Sequence, residues 1–291
     1  GSAFNGYSIT TVSIPPSIKK IRERAFGTSN LSAVYITDLK AWCEIEFAES
    51  SSFSDGKGNH YFSYANPLSC AQRLYINGEE VTNLEIPDSI TNIGAYAFQN
   101  YTSLTSVTIA SAKIEEGAFD RCPNLVNVFI GESVKSVNGF SNCPNLTNVT
   151  FGNSVSEIGK KAFVNCVSLK NIDFPNSLTI IDNDAFRGCT NLTNIIFPDS
   201  LIYIGTSAFS GCHSLENIDL PNTLRYIINS AFYNCTELSP PMLPDSLEYL
   251  GGGAFSGCKP IRNLYIPSKV KSIKSAFKMD SVETITVDIR N

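Results

Sequence analysis

Histidine, tryptophan and methionine are scarce in this sequence. The 291 residues include two histidines, one tryptophan and two methionines. His60 and His213 are far apart, and the chain contains no Gly-x-Ser-x-Gly motif, no phosphate-binding loop and no Cys-x-x-Cys pair. These features are typical of a nucleophile activated by histidine, of a nucleotide site and of a zinc site. We therefore expect a protein that is not an enzyme and that has no cofactor or metal site.

Strong charge and long apolar runs are also missing. The sequence has 22 basic and 27 acidic residues, a net charge of −5, and no cluster of Lys and Arg that could follow a phosphate backbone. No apolar run reaches the roughly 20 residues that a membrane-spanning helix requires. We expect neither a nucleic-acid partner nor a membrane-spanning segment. With 43% hydrophobic residues the chain can bury a substantial core, and we expect residues 1–291 to form one elongated, monomeric domain.

What the sequence has in abundance is one repeated spacing. Five cysteines recur every 23 residues, and an Ala-Phe pair begins four residues before each of them. These cysteines are Cys166, Cys189, Cys212, Cys235 and Cys258. A fixed period of this length is typical of a solenoid, in which each unit buries its apolar face only against its neighbours. Such chains bind other molecules more often than they catalyse reactions.

Each unit is predicted to form one coil. In the unit that starts at Leu169, segment 169–174 is predicted to end in a short strand, in which alternate residues point inward. Pro175 is predicted to end this strand. Residues 178–181 fit a second extended or tightly turned side, and residues 183–186 fit a single helical turn whose phenylalanine closes the end of the core. The predicted fold class is therefore a β-rich α/β repeat solenoid, with stacked coils of 21–23 residues, a parallel sheet and short helical turns.

The repeats resemble those of a known family. Residues 86–98 read IPDSITNIGAYAF and follow the pattern Ile-Pro-x-Ser-Val-x-x-Ile-Gly-x-x-Ala-Phe of the BspA-like leucine-rich repeat, found in bacterial and some protist surface proteins. The resemblance covers most of the chain. It implies a leucine-rich repeat fold, an extracellular or cell-surface location, and adhesion to a host or microbial surface protein or to a glycan.

One long stretch departs from the repeat. Residues 38–72 are predicted to form an insert, because the period breaks there. Segments 38–43 and 66–68 resemble an insert of related family members, which implies that it is packed. Some of its aromatic rings must pack the insert itself, and we expect Trp42 to lie in that core. Just beyond it, Asn77-Gly78 predicts a tight hairpin turn, since both residues accept positive φ angles. Further aromatic residues of the insert are candidate contacts: Phe53, Tyr61 and Tyr64.

The cysteines allow more than one interpretation. Seven of them, from Cys122 to Cys258, occupy the same repeat position and are expected to form an inward column. Parallel neighbours in such a column are poorly placed for a disulfide, and seven thiols cannot all pair, so we favour buried free thiols. Cys43 and Cys70, in the insert, could pair in an oxidising compartment or stay free.

Outward positions of the strands are the first candidate binding surface. One outward column consists mainly of asparagines, which can hydrogen-bond to one another between coils. The neighbouring column varies in chemistry, and its exposed apolar and acidic side chains favour a protein-binding face. The candidate ligand-binding residues of this column are Phe129, Asp173, Ile196, Asp219, Met242 and Tyr265.

A second candidate surface lies on another side of the coil. Tyr203, Tyr226 and Tyr249 recur at 23-residue intervals and are expected to stack as a ladder. This ladder could bind sugar rings or a partner chain, or it could only stabilise adjacent coils. Asp182 and Asp184 similarly could serve as metal or acid/base groups, or could cap a turn.

The sequence therefore favours a noncatalytic recognition or adhesion module, secreted or on the cell surface, whose partner is a surface protein or a glycan. The alternative is a structural scaffold or spacer that displays other domains of a longer surface protein.

Overall fold

The computed structural model of the chain describes residues 8–22, 25–26, 30–48, 51–54, 60–63, 65–271, 273, 275–277 and 283–288, with the backbone alone for 51–54 and 60–63. Its regular elements are almost all short strands joined by turns. In chain order the strands are β1 (Thr11–Ser13), β2 (Lys20–Ile21), β3 (Ala33–Ile36), β4 (Glu46–Phe47), β5 (Ser51–Ser54), β6 (His60–Ser63), β7 (Arg73–Ile76), β8 (Glu79–Glu80), β9 (Asn83–Ile86), β10 (Asn92–Ile93), β11 (Ser106–Ile109), β12 (Lys113–Ile114), β13 (Asn127–Ile130), β14 (Ser136–Val137), β15 (Asn148–Thr150), β16 (Glu157–Ile158), β17 (Asn171–Asp173), β18 (Ile180–Ile181), β19 (Asn194–Ile196), β20 (Tyr203–Ile204), β21 (Tyr226–Ile227), β22 (Tyr249–Leu250), β23 (Asn263–Ile266) and β24 (Thr284–Val287). The helices among the described residues are α1 (Leu39–Cys43) and one 3-10 turn (Pro67–Ser69).

One side of the coils carries most of the longer strands, and we call it the strand face. These strands pair in parallel with strands of neighbouring coils, in the orders β1-β3-β7, β9-β11-β13-β15, β17-β19 and β23-β24. Val107 of β11 stands beside Leu84 of β9 and Val128 of β13, and all three side chains are buried. Alternation of inward apolar and outward residues produces this sheet. The predicted parallel repeat solenoid is therefore confirmed.

A second side carries two-residue strands, and we call it the short-strand face. Six of these strands form one parallel ladder, in the order β14-β16-β18-β20-β21-β22. Ile181, Ile204 and Ile227 point inward from consecutive strands and are fully buried. The predicted second side of the coil is thus extended rather than tightly turned.

The third side differs from the helical turn that the sequence predicted. In segment 183–186, Asp184 has a φ of +57°, and the segment forms a turn instead of a helix. A second left-handed residue, Gly188 with a φ of +75°, stands directly before Cys189 and reverses the chain. A right-handed helical turn needs negative φ throughout, so two left-handed residues fold this side into a tight series of turns.

The turns bring the repeat phenylalanines into one continuous column, which we call the phenylalanine stack. Neighbouring ring centroids lie 5.1–5.7 Å apart, and their planes are within 12° of parallel. Its members are Phe98, Phe119, Phe140, Phe163, Phe186, Phe209, Phe232, Phe255 and Phe277. The phenylalanines therefore form a shared core along the solenoid rather than separate plugs.

The cysteine column is buried in the core together with this stack. All nine cysteines are free, including Cys43 and Cys70. Column thiols donate weak hydrogen bonds to phenylalanine carbonyls of the preceding coil, as from Cys189 Sγ to Phe163 O at 3.1 Å. The prediction of buried free thiols is confirmed, and burial raises the pKa of Cys189 to about 12.

The insert packs against the first ring of the phenylalanine stack. Trp42 on α1 is 1% exposed, and its Nε1 donates a hydrogen bond to the Ala97 carbonyl at 3.0 Å. Its ring contacts that of Phe98 with the centroids 6.5 Å apart. The predicted burial of Trp42 is confirmed, and the indole anchors the insert to the repeats. The other candidate side chains of the insert lie outside the described residues: Phe53, Tyr61 and Tyr64.

The predicted hairpin turn after the insert is also confirmed. Strands β7 and β8 are antiparallel, and the turn between them consists of Asn77 with a φ of +53° and Gly78 with a φ of +92°. This hairpin separates the sheet of β1, β3 and β7 from the sheet that begins at β9.

We expect Phe209→Ala to destabilise the protein by about 3–5 kcal/mol, because it removes one ring from a packed core. Phe209 is fully buried and lies 5.3 Å from Phe186 and 5.2 Å from Phe232, measured between ring centroids. Denaturant titration measures the loss. The matched control is Phe129→Ala, which removes a ring that is 45% exposed and should cost far less. A loss below about 1 kcal/mol for Phe209→Ala would contradict its place in the core.

Alkaline pH should destabilise the fold through the cysteine column. Burial raises the pKa of Cys189 to about 12, whereas the ordinary value of a cysteine is 9.0, and burial raises the pKa of Cys212 as well. Between about pH 9 and 12 the folded state therefore holds more protons than the unfolded state, so stability falls as pH rises. Urea titrations from pH 7 to 11 should show this fall, with a shallower slope for the double variant Cys189→Ala, Cys212→Ala. Equal slopes for both proteins would refute the role of the thiols.

Candidate recognition surface

The varied outward column lies on the strand face, as the sequence predicted. Ile196 and Met242 are each 80% exposed, and Phe129 is 45% exposed. Asp173 pairs with Ile196 across β17 and β19, so these two candidate residues are direct neighbours. Asp219 is exposed on the next coil, and Tyr265 on β23 is half-buried. The structure thus brings the six predicted residues to one face of the solenoid.

The asparagine column beside it is engaged in contacts within the protein. Asn148 Nδ2 donates to Asn127 Oδ1 at 2.8 Å, and Asn194 Nδ2 donates to Asn171 Oδ1 at 3.4 Å. On the first coil of this sheet, Ser106 donates to Asn83 Oδ1 at 2.7 Å. These bonds support the structural interpretation of the column, because the amides hold neighbouring coils in register.

The strand ladder, which ends in a single parallel bridge between Asn194 and Asn217, does not continue at residues 240–243. Pro240 and Pro241 occupy the positions that Asn217 and Ile218 hold one coil earlier, and proline has no N–H to donate to a ladder. No strand forms there, and β23 pairs with β24 alone within the described residues. A cavity of about 340 Å³ opens at this point, and its walls include both prolines, Met242, Leu243, Leu264, Tyr265 and Thr286. We call residues 240–243 together with Leu264 and Tyr265 the apolar break.

Tyr265 is fixed at the edge of the apolar break. Its hydroxyl lies 2.7 Å from Asp245 Oδ1 and 3.3 Å from Asp288 Oδ2. These contacts tie the ring to carboxylates on the two flanking coils, whereas the Met242 side chain beside it extends into solvent. The break therefore combines one rigid aromatic ring with one flexible thioether.

A second interruption lies between β15 and β17, which belong to separate sheets. The coil length changes here, from 21 residues between Val128 and Val149 to 23 residues between Val149 and Ile172. A cleft of about 420 Å³ opens between the two strands, and we call it the polar cleft. Its walls are Thr147, Asn148, Val149, Thr150, Ser168, Lys170, Asn171 and Asp173. Sequence reasoning identified Asp173 and the asparagines but missed the cleft, which the change in coil length could have signalled.

The tyrosine ladder is present on the short-strand face. Tyr203, Tyr226 and Tyr249 stand side by side on β20, β21 and β22, and the first two rings are 6.3 Å apart and tilted by 50°. Arg225 lies 5.7 Å from the centre of the Tyr226 ring and donates to Glu248 Oε1, which lowers the pKa of Glu248. Tyr226 itself donates to Glu248 Oε2 at 3.2 Å. Much of this ladder therefore serves contacts between coils, which favours its structural interpretation.

A second tyrosine pair, which the sequence pattern did not identify, lies on the strand face. Tyr35 and Tyr75 stack with their centroids 4.7 Å apart and their planes 15° from parallel. Tyr75 donates to Glu80 Oε2 at 3.2 Å. The repeat spacing did not reveal this pair, because the insert separates the two tyrosines by 40 positions instead of one repeat.

The candidate acid/base residues on the turns have structural contacts. Asp182 Oδ1 accepts a hydrogen bond from the Asn183 N–H at 2.6 Å, and Asp184 forms an ion pair with Arg187 at 2.9 Å. Within the described residues, no group of three or more His, Cys, Asp or Glu side chains is placed to hold a metal ion. The same part of the chain contains no helix with the length and apolar character needed to cross a membrane.

Similar folds occur among solved structures. A leucine-rich repeat protein from Bacteroides ovatus is 28% identical, with a TM-score of 0.61 and 82% of this chain covered. The present chain spans 63% of that protein, which is less than two thirds of its length. The T. pallidum leucine-rich repeat protein is 26% identical, with a TM-score of 0.45, 61% of this chain and 76% of that chain covered. A leucine-rich cell surface protein from Faecalibacterium prausnitzii is 22% identical, with a TM-score of 0.48, 98% of this chain and 89% of that chain covered.

The repeats themselves match a family description. No curated protein is significantly similar to the chain. Residues 1–65, 70–193 and 179–290 match the BspA type leucine-rich repeat region, in six copies. This match includes the stacked coils, the phenylalanine stack, the apolar break and the polar cleft. The chain is therefore a member of the BspA-type leucine-rich repeat family.

Proposed function

We propose that this chain is a noncatalytic recognition module, secreted or on a cell surface, that binds a partner protein through its strand face. The observation that carries the proposal is the pair of aliphatic side chains, Ile196 and Met242, that stand 80% exposed on this face. Large apolar groups in such positions add nothing to the core. Grouped on one surface, they often mark a contact site.

The proposed contact patch consists of Ile196, Asp219, Met242 and Tyr265. Methionine adapts its shape to a partner, and a fixed tyrosine offers contact area at little cost in conformational entropy. The cavity of the apolar break, beside Met242, can receive one apolar side chain of the partner. Asp219 is an exposed carboxylate at the same surface, which favours a partner that places a basic group next to its apolar anchor.

The proposal extends to the organisation of the chain. The parallel ladders and the phenylalanine stack link successive coils, which supports one cooperative domain over residues 1–291. We further propose that this domain acts as a monomer. The proposed partner is a surface protein of a host or of a microbe, because the chain is proposed to be secreted or to lie on a cell surface. The alternative role as a scaffold or spacer needs no contact patch at all, so binding by the isolated chain separates the two.

The double variant Ile196→Ser, Met242→Ser tests the patch. Both side chains are exposed, so the free energy of unfolding should change by no more than about 0.5 kcal/mol for each. Purified chain is first screened against host matrix proteins and microbial surface proteins. Affinity for a retained protein, measured by surface plasmon resonance, should fall at least about tenfold in the variant, or roughly 1.4 kcal/mol.

The matched control is Ile180→Ser with Tyr233→Ser, which removes exposed apolar side chains from other sides of the coils. It should leave binding unchanged. Full binding by the Ile196, Met242 variant would refute the patch. If binding were lost instead on shortening the insert at residues 50–60, part of which lies outside the described residues, the site would move to the insert. Failure of the wild-type chain to retain any protein would favour the spacer role.

A further inference from the structure

The polar cleft differs in chemistry from the apolar break, the other opening described on the strand face. Seven of its eight wall residues are polar, and Val149 is the exception. The apolar break, by contrast, is lined mainly by prolines, leucines, Met242 and Tyr265. A cleft with hydroxyl, amide, amino and carboxylate groups presents both donors and acceptors over a small area.

The asparagine ladder is broken at the cleft. Asn148 donates to Asn127, and Asn171 accepts from Asn194, but no hydrogen bond joins Asn148 to Asn171 in the described structure. The side-chain amide oxygen of Asn148 and the side-chain amide nitrogen of Asn171 are therefore left to bond with another molecule. One offers an acceptor and the other a donor, on opposite sides of the same opening.

Most of the other polar groups of the cleft are also available; the exception is Thr147, whose Oγ1 donates to the Val126 carbonyl at 3.5 Å. Lys170 and Asp173 are exposed, and neither forms an ion pair with the described residues. The hydroxyl groups of Thr150 and Ser168 make no hydrogen bond to the described part of the protein. The two charges have opposite signs, so the cleft as a whole does not select a strongly charged ligand.

An exposed aromatic ring stands next to the cleft. Phe129 on β13 pairs directly with Thr150 on β15, and its ring is 45% exposed. Phe129 lies two coils before Asp173 in the stack, on the other side of the opening. An aromatic face beside grouped donors and acceptors suits a ring that has an apolar face and a hydroxylated rim.

We propose that the polar cleft and Phe129 form a subsite for a neutral pyranose unit of a glycan. The sugar ring lies against Phe129, and its hydroxyl groups bond to Asp173, Lys170 and the free amide groups of Asn148 and Asn171. The inference rests on the proposed function in one respect, namely that the strand face is the recognition surface. It assigns this end of the face to a glycan and leaves the patch around Met242 to protein.

The tyrosine ladder is the weaker candidate for sugar binding. The Tyr226 hydroxyl is bonded to Glu248, and Glu248 is also held by Arg225. These groups are bonded to neighbouring coils, whereas the side chains of Thr150, Ser168, Lys170 and Asp173 make no hydrogen bond or ion pair within the described residues.

A printed array of neutral, sialylated and sulfated glycans, probed with the purified full chain, provides the test. We expect retention of neutral pyranose glycans. Phe129→Leu and Asp173→Asn should each reduce the signal at least about tenfold, while Phe129→Tyr should retain it. The leucine variant keeps an apolar side chain but loses the aromatic face, so it separates ring stacking from simple apolar contact. All variants should keep the wild-type unfolding midpoint.

The control is the Met242→Ser variant, which should bind glycans like the wild type because Met242 lies three coils beyond Asp173. This arm also separates the two proposals, because loss of protein binding with intact glycan binding in this variant supports both. The glycan proposal is overturned if no neutral glycan is retained, if Phe129→Leu and Asp173→Asn bind normally, or if Tyr226→Ala alone abolishes retention. Retention of acidic glycans only, or loss of protein rather than glycan binding in the Phe129 and Asp173 variants, would also overturn it.

A direct readout locates the sugar. The array-positive oligosaccharide, added in solution to ¹⁵N-labelled protein, should shift the backbone amide resonances of residues 147–150 and 170–173. Those of β21 and β22 should stay in place. Shifts confined to the short-strand face would place the sugar on the tyrosine ladder and refute the assignment to the cleft.

Discussion

The contact between one coil and the next is the constraint on which the whole structure depends. Within the phenylalanine stack, neighbouring rings lie 5.1–5.7 Å apart and nearly parallel to one another. No coil can bury its phenylalanine alone, so every coil must present that residue at the same height and angle as its neighbours. The period of the sequence follows from this requirement, as do the small alanine before each regular ring and the buried cysteine after it.

This constraint also decides where functional side chains can lie. Within a regular coil, inward positions are occupied by the core, and backbone groups on the ladders are bonded to neighbouring coils. Even polar outward residues are drawn into contacts between coils, as Asn127 with Asn148 and Tyr226 with Glu248 illustrate. Side chains remain free to bind another molecule in two kinds of places. These are the outward positions that no neighbour engages, such as Ile196 and Met242, and the points where the ladder stops.

The sequence predicts what happens within a coil better than what happens between coils. Period and alternation were enough to place the strands, the buried thiols and the exposed column, because each depends on whether a residue points inward. The turn at 183–186 was wrongly predicted as helical. Its φ of +57° falls on an aspartate, a residue that also suits a helix start, so composition alone did not decide between the two.

The clefts were missed because they arise from the relation between two coils. Their traces in the sequence are small: Pro240 in place of an asparagine, and a coil that is two residues longer than the one before it.

The apolar break and the polar cleft are far enough apart to act separately and close enough to serve one partner. Four coils lie between the opening at Thr150 and Asp173 and the opening at Met242 and Tyr265, which is about 19 Å at the spacing of parallel strands. Substitutions separated by more than about 7–10 Å without shared contacts usually have additive effects. A change at Phe129 should therefore leave the patch at Met242 intact.

An interface of ordinary size, about 800 Å² for each partner, is nevertheless wide enough to cover both openings. A glycosylated protein is the one class of partner that could fill the polar cleft with a sugar and the apolar break with a side chain at the same time.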